Sequence, residues 1–223
     1  TSLGTVMIPR IGYHYSKGDT EMVKTYMYRA YRFVWLCGIP LTLGLIAVSS
    51  NFVPWFFGSG YEKVVSLLGV LSMLILAIGI NNVTGMQYLI PTERQTLFTI
   101  TVIIGAVANF FLNFVLIRFL QSLGAAIASV VAETTIAVIQ IYIVRRELSP
   151  YQIIKSGIHY YIAGGIMFVI LMNIKNVFTP SILHTLALVI IGAVIYGVAL
   201  VLMRDEFLLV NANNIIKKIL KRC

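Results

Sequence analysis

The sequence predicts an all-α fold, a polytopic membrane helix bundle with six complete transmembrane helices. Three observations predict it. Of 223 residues, 59% are hydrophobic and only 11% charged, at a mean hydropathy of +0.90, against about 25% charged in a soluble domain. Six stretches stay apolar for the ~20 residues needed to cross a ~30 Å hydrocarbon core at ~1.5 Å rise per residue. The basic residues fall almost entirely between those stretches. With 17 Lys+Arg and 8 Asp+Glu, the chain cannot cover so much apolar surface in water, and lipid is its main solvent. A transmembrane barrel would show alternating segments of ~10 residues instead. Disulfide scaffolds and disordered tails are excluded, and Cys37 and Cys223 are too dissimilar in setting to form a bridge or a metal site.

Residues 1–32 come first. Residues 3–8 read as the last turns of an apolar helix that starts before Thr1, so the chain is expected to be the C-terminal part of a longer protein. From Asp19 onward, Met22, Val23, Tyr26, Met27, Ala30 and Tyr31 recur at helical spacing, with Glu21, Lys24, Arg29 and Arg32 largely between them. This predicts a basic amphipathic link lying on the inner leaflet, started by Ser16, Gly18 and Asp19.

The spans follow at 33–53, 67–90, 97–117 and 123–144, which group as a four-helix part over residues 33–144. Two further spans at 160–178 and 183–203 form a second unit over 145–203, and residues 204–223 are a basic amphipathic cytoplasmic tail, with Ile215, Ile216, Ile219 and Leu220 against Lys217, Lys218, Lys221 and Arg222. Pro54, Pro91, Pro150 and Pro180 are expected in connections. Within the first span, Gly38, Pro40 and Gly44 predict a bent helix with Pro40 as a candidate hinge, because proline removes a backbone hydrogen bond and crowds the preceding turn. Trp35 and Trp55, about 30 Å apart on a helix, are expected one at each interface. Gly124, Ala128 and Ala132 form a small-residue ridge for close helix packing.

Charge placement sets the topology. Arg10, Lys17, Lys24, Arg29, Arg32, Arg94, Arg145, Arg146, Lys155, Arg204, Lys217, Lys218, Lys221 and Arg222 fall on one side, and only Lys63, Arg118 and Lys175 on the other. The positive-inside rule then puts both ends of the chain in the cytoplasm. The net charge of +9 therefore marks basic loops and not a nucleic-acid surface.

Glu133 is the one acid deep inside a span. A charged group at mid-membrane costs about 2.5–3.5 kcal/mol on insertion scales, so it should face the bundle interior, a partner or a water-filled cavity. Ser129, Glu133 and Gln140 lie near one helical face, with Ala126 extending it. Asn109 and Asn113 repeat at four residues with Gly105, and Asn81, Asn82, Thr84, Gly85, Gln87 and Tyr88 form a polar cluster. Such side chains either line a hydrophilic cavity or hydrogen-bond across helices. His14 and Asp19 match a His-x4-Asp acyltransferase pattern. No phosphate-binding block accompanies it, and Asp19 serves better as a helix cap. With no phosphate loop, metal-spaced set or nucleophile elbow, an enzyme is not indicated and no cofactor is expected.

The runs Leu3-Gly-Thr-Val-Met-Ile-Pro-Arg10, Gly18-Asp19-x-Glu21, Pro54-Trp-Phe-Phe-Gly-Ser-Gly-Tyr61, Gln87-Tyr-Leu-Ile-Pro91 and Leu123-Gly-Ala-Ala-Ile-Ala128 resemble the C-terminal half of polysaccharide-type flippases. These are the repeat-unit exporters of O-antigen and capsule biosynthesis, in the multidrug/oligosaccharidyl-lipid/polysaccharide exporter superfamily. The resemblance implies a two-lobed alternating-access transporter of about fourteen helices, of which this chain holds most of the C-terminal lobe and the two extra helices. It further implies an undecaprenyl-diphosphate-linked oligosaccharide as cargo, the bacterial plasma membrane as location, and a missing N-terminal lobe as partner. In that setting Glu133, Ser129, Gln140, Asn109, Asn113, Asn81 and Asn82 are candidates to line the transport cavity, with a proton or sodium ion as possible coupling cation at Glu133. A cation-coupled drug or small-molecule antiporter of the same superfamily is the alternative. A membrane-embedded polysaccharide polymerase or acyltransferase fits less well, since the outer loops are short and carry a single acid, Glu62.

Overall fold

The computed structural model describes residues 2–205 and 207, and the tail expected at 204–223 lies almost wholly outside them. Every regular element among the described residues is helical. In chain order they are α1 (Ser2–Ser16), α2 (Thr20–Phe57), α3 (Lys63–Asn81) continued by a π-helical segment (Asn82–Leu89), α4 (Gln95–Leu120), α5 (Ser122–Val144), the short α6 (Pro150–Lys155), α7 (Ile158–Ile174) ending in a 3₁₀ turn (Lys175–Val177), and α8 (Ile182–Leu202). Six are long and apolar enough to cross a membrane, namely α2, α3 with its π segment, α4, α5, α7 with its 3₁₀ turn, and α8. They coincide with the six stretches that hydropathy predicts.

The amphipathic link is not a separate helix on the leaflet. It is the first third of α2, which runs unbroken for 38 residues. Asp19 caps it, with its side chain accepting from the Met22 N–H. The apolar face buries Val23, Met27, Ala30 and Tyr31 against protein. Amphipathicity marks a face that leaves water, and here the other medium is α1 and the π segment, not lipid. Pro54 is likewise inside α2 and not in a connection. It lies in the last turn, so the backbone bond that it removes disturbs only the end of the helix. Trp35 and Trp55 are tied to protein partners, donating to the Ile153 carbonyl at 3.1 Å and to Thr185 Oγ1 at 2.7 Å.

α2 is the common wall. On one side it packs against α3, which packs on α5, which packs on α4; on the other it meets both α7 and α8. α1 lies across α2 and the π segment, burying Met7 and Ile11. The α4–α5 hairpin turns on one residue, Gln121, at φ 52°. Gly124 makes that turn possible, because a Cβ there would overlap the Leu116 carbonyl oxygen and lie 2.6 Å from its carbon and 3.0 Å from the Ile117 nitrogen. Backbone cannot rotate aside. Gly124→Ala is therefore expected to cost about 3 kcal/mol, the upper end of overpacking penalties. Gly165→Ala, whose Cβ would meet nothing within 4 Å, should be neutral or stabilising; denaturant unfolding of both variants in detergent checks the pair.

Along the same helix Ala128 and Ala132 are buried, so the small-residue ridge is a packing seam. α4 presents Phe110, Phe111, Phe114 and Phe119 outward, as expected of a helix whose outer face meets hydrocarbon.

Candidate functional site

The inner face of α5 carries Glu133 and Gln140. Glu133 sits eleven residues from either end of this 23-residue helix, about 16 Å along its axis from each. α3 reaches it from the other side. Asn81, the last residue of α3 before the helix widens into its π segment, donates through Nδ2 to Glu133 Oε2 at 2.5 Å and to the Glu133 carbonyl at 3.0 Å. Both side chains are half-buried. Asn81 Oδ1 is buried without a hydrogen-bond partner among the described residues, so the pair offers one unused neutral oxygen beside a carboxylate.

Two turns further along α5, Gln140 is fully buried and donates through Nε2 to Thr101 Oγ1 of α4 at 3.1 Å. Its Oε1 also lacks a partner among the described residues. The π segment packs closely here, since a Cβ on Gly85 would lie 2.7 Å from the Phe98 ring and 3.0 Å from Gln140 Nε2. Its widened register stacks residues five apart, and Gln87 Nε2 accordingly donates to Asn82 Oδ1 at 3.2 Å. Tyr31 of α2 completes the seam through a 2.7 Å bond to Thr84.

The seven candidate residues are thus not one constellation. Asn81 and Glu133 meet across α3 and α5. Gln140 joins α4, and Asn82 turns to Gln87. Ser129 bonds the Ala125 carbonyl of its own helix, and Asn113 bonds the side chain and carbonyl of Asn109 on α4. Among the described residues no three of His, Cys, Asp and Glu gather as metal ligands. A monovalent cation would find its oxygens at Glu133 and Asn81. His14 and Asp19 do meet, with Nδ1 3.0 Å from Oδ2, inside the α1–α2 turn that Asp19 caps.

Two ionic clusters at the helix ends went unmarked in the sequence. Arg94, just before α4, donates from Nη2 to Glu147 Oε2 at 2.7 Å, and the Tyr88 hydroxyl donates to the same oxygen. Burial alone would push the Glu147 carboxyl up, but the Arg94 and Tyr88 bonds and the Arg94 charge outweigh it and hold the group below its ordinary value. The bond to Glu147 in turn raises the Arg94 guanidinium. A carboxyl lowered on folding stabilises above its unfolded pKa, and that contribution is lost as pH falls through the lowered one. The melting-temperature gap between wild type and Glu147→Gln should accordingly narrow as pH drops below about 4.3, the ordinary glutamate value; thermal melts across that range check it. Around this pair lies a pocket of about 330 Å³, lined by Tyr15, Thr20, Val23, Lys24, Tyr88, Arg94 and Glu147.

The second cluster centres on Asp205, which is 1% exposed. It accepts from Arg32 Nη2 at 3.2 Å and from the Tyr160 hydroxyl at 3.1 Å, with His159 Nδ1 3.2 Å away. It binds the end of α8 to α2 and α7.

The family model described as Lipid II flippase MurJ matches residues 1–198. Lipopolysaccharide biosynthesis protein WzxC of Escherichia coli (strain K12) is 33% identical over 67 residues, a stretch that makes up 30% of this chain and 14% of the relative.

Proposed function

The chain belongs to the lipid II flippase MurJ family, and from that membership we propose that it is the C-terminal part of a transporter flipping undecaprenyl-diphosphate-linked oligosaccharide by alternating access. The match over residues 1–198 carries the reading. The partial likeness to a lipopolysaccharide biosynthesis protein favours a repeat-unit oligosaccharide as cargo. The physical task is to move a diphosphate and many hydroxyls past hydrocarbon while the lipid tail stays in it.

In this reading the membrane is the bacterial plasma membrane, and the basic loops support a cytoplasmic position for both ends of the chain. The N-terminal lobe supplies the opposite cavity wall. The spans here hold a carboxylate and amides but no deep arginine, so a diphosphate clamp belongs to that other lobe. Glu133 with Asn81 serves as the coupling element in this reading, binding a proton or sodium ion. The test is a strain lacking the gene. Lipid-linked repeat units should accumulate on the cytoplasmic face and be cleared by the full-length gene, and their normal appearance on the outer face without it would end the assignment.

A further inference from the structure

We infer that the pocket between the α1–α2 turn, the end of the π segment and the α5–α6 link is a binding site for a phosphate group at the membrane–water interface. Its position comes from the helix ends that build it. Tyr88 lies at the end of the second transmembrane segment, Arg94 precedes α4 and Glu147 follows α5, so the pocket opens where headgroups meet water. At about 330 Å³ it lies at the small end of the ~300–1,000 Å³ typical of ligand sites, suited to a headgroup and not to a large glycan.

The lining supplies the chemistry. Arg94 is held in place by its bond to Glu147 and lies 5.7 Å from the Tyr88 ring centroid. That bond uses Nη2, and a guanidinium carries five N–H donors in a fork that matches phosphate oxygens. Lys24 adds a second positive charge. Its bond to Glu21 is a surface one, since the Glu21 side chain is 82% exposed, and such pairs are readily exchanged for another anion. The Tyr15 hydroxyl, itself bonded to Arg94, and Thr20 line the same wall. Glu147 is the single acid in the lining; it orients Arg94 and opposes the ligand, so the site binds a phosphate against a standing competitor.

The phosphate can belong to an anionic lipid or be free in solution, and both sources present the same oxygens. The test uses the full-length protein in neutral detergent, with fluorescent phosphatidylglycerol, the same probe with a phosphatidylcholine headgroup, and inorganic phosphate. Saturable binding of phosphatidylglycerol in preference to phosphatidylcholine identifies a lipid source, and binding of inorganic phosphate alone identifies a soluble one. Either must weaken at least about fivefold in Lys24→Gln and Arg94→Gln, strengthen in Glu147→Gln, and fall with added salt. Lys24→Gln decides the matter if Arg94→Gln does not fold, because Lys24 makes no buried bond. Binding of neither probe, or binding that Lys24→Gln leaves unchanged, overturns the inference. The readout is independent of transport, so its failure and that of the flippase reading are separate results.

Discussion

Glu133→Gln in the full-length transporter is expected to cut translocation of lipid-linked sugar by on the order of tenfold while leaving expression near wild type. The geometry separates the two effects. Gln keeps an oxygen for Asn81 Nδ2 and leaves the bond to the Glu133 carbonyl untouched, so the α3–α5 contact survives. What goes is the charge, together with any proton or cation it holds. Glu133→Leu removes the hydrogen bond as well and should lose about 1 kcal/mol of stability in addition. If the carboxylate only tied two helices together, the order would invert, with Glu133→Gln transporting normally and Glu133→Leu impaired through folding alone. Transport assayed as outer-face repeat units, with protein quantified in the same membranes, reads both. Asn81→Leu adds a third arm. It strips the carboxylate of its protein donor and should shift the cation concentration or pH needed for half-maximal transport.

The spans were legible because hydrocarbon imposes one rule over twenty residues, and the six predicted stretches overlay α2, α3, α4, α5, α7 and α8. What each apolar face touches was not. Val23, Met27 and Tyr31 have the same periodicity whether they face lipid or α1, so an internal packing face read as a membrane anchor. The π segment has no periodicity of its own in eight residues; its one trace was the density of polar side chains from Asn81 to Tyr88, which read as a cluster without a geometry. Glu133 stood out because a mid-span acid is costly, but its donor Asn81 is 52 positions away and was only one amide among several. Arg94 and Arg32 stand out in the sequence as charges that mark topology. Their partners Glu147 and Asp205 lie 53 and 173 positions away, a separation only the packed bundle closes.

Asp205→Ala is expected to destabilise the chain by about 3–5 kcal/mol, the range for breaking a buried ion pair from one side. Asp205 is 1% exposed and the Arg32 side chain 29%, so the guanidinium left behind stays largely shielded from water. Its Nε is already buried without a hydrogen-bond partner among the described residues, and losing the carboxylate removes the Asp205 bonds of Nη2 and of the Tyr160 hydroxyl as well. The damage should be local to one end of the α7–α8 pair. At the far end Trp55, Thr185 and Asn51 form a separate chain of bonds at 2.7 and 2.8 Å, and Asn51 also donates to the Phe178 carbonyl at 2.9 Å, so α8 should pivot there and not dissociate. Spin labels on α2 and α8 would then show broadened distances near Arg32 and unchanged ones near Trp55. The compensating change gives the decisive comparison. Arg32→Met with Asp205→Leu removes both charges and fills the space with apolar side chains, and such exchanges are often neutral or stabilising. Unfolding midpoints in the order wild type close to the double variant, and both well above Asp205→Ala, would show that the cluster is held by mutual need of its members. A double variant as unstable as Asp205→Ala would mean instead that the carboxylate supports the α8 terminus through its bonds to Tyr160 and His159.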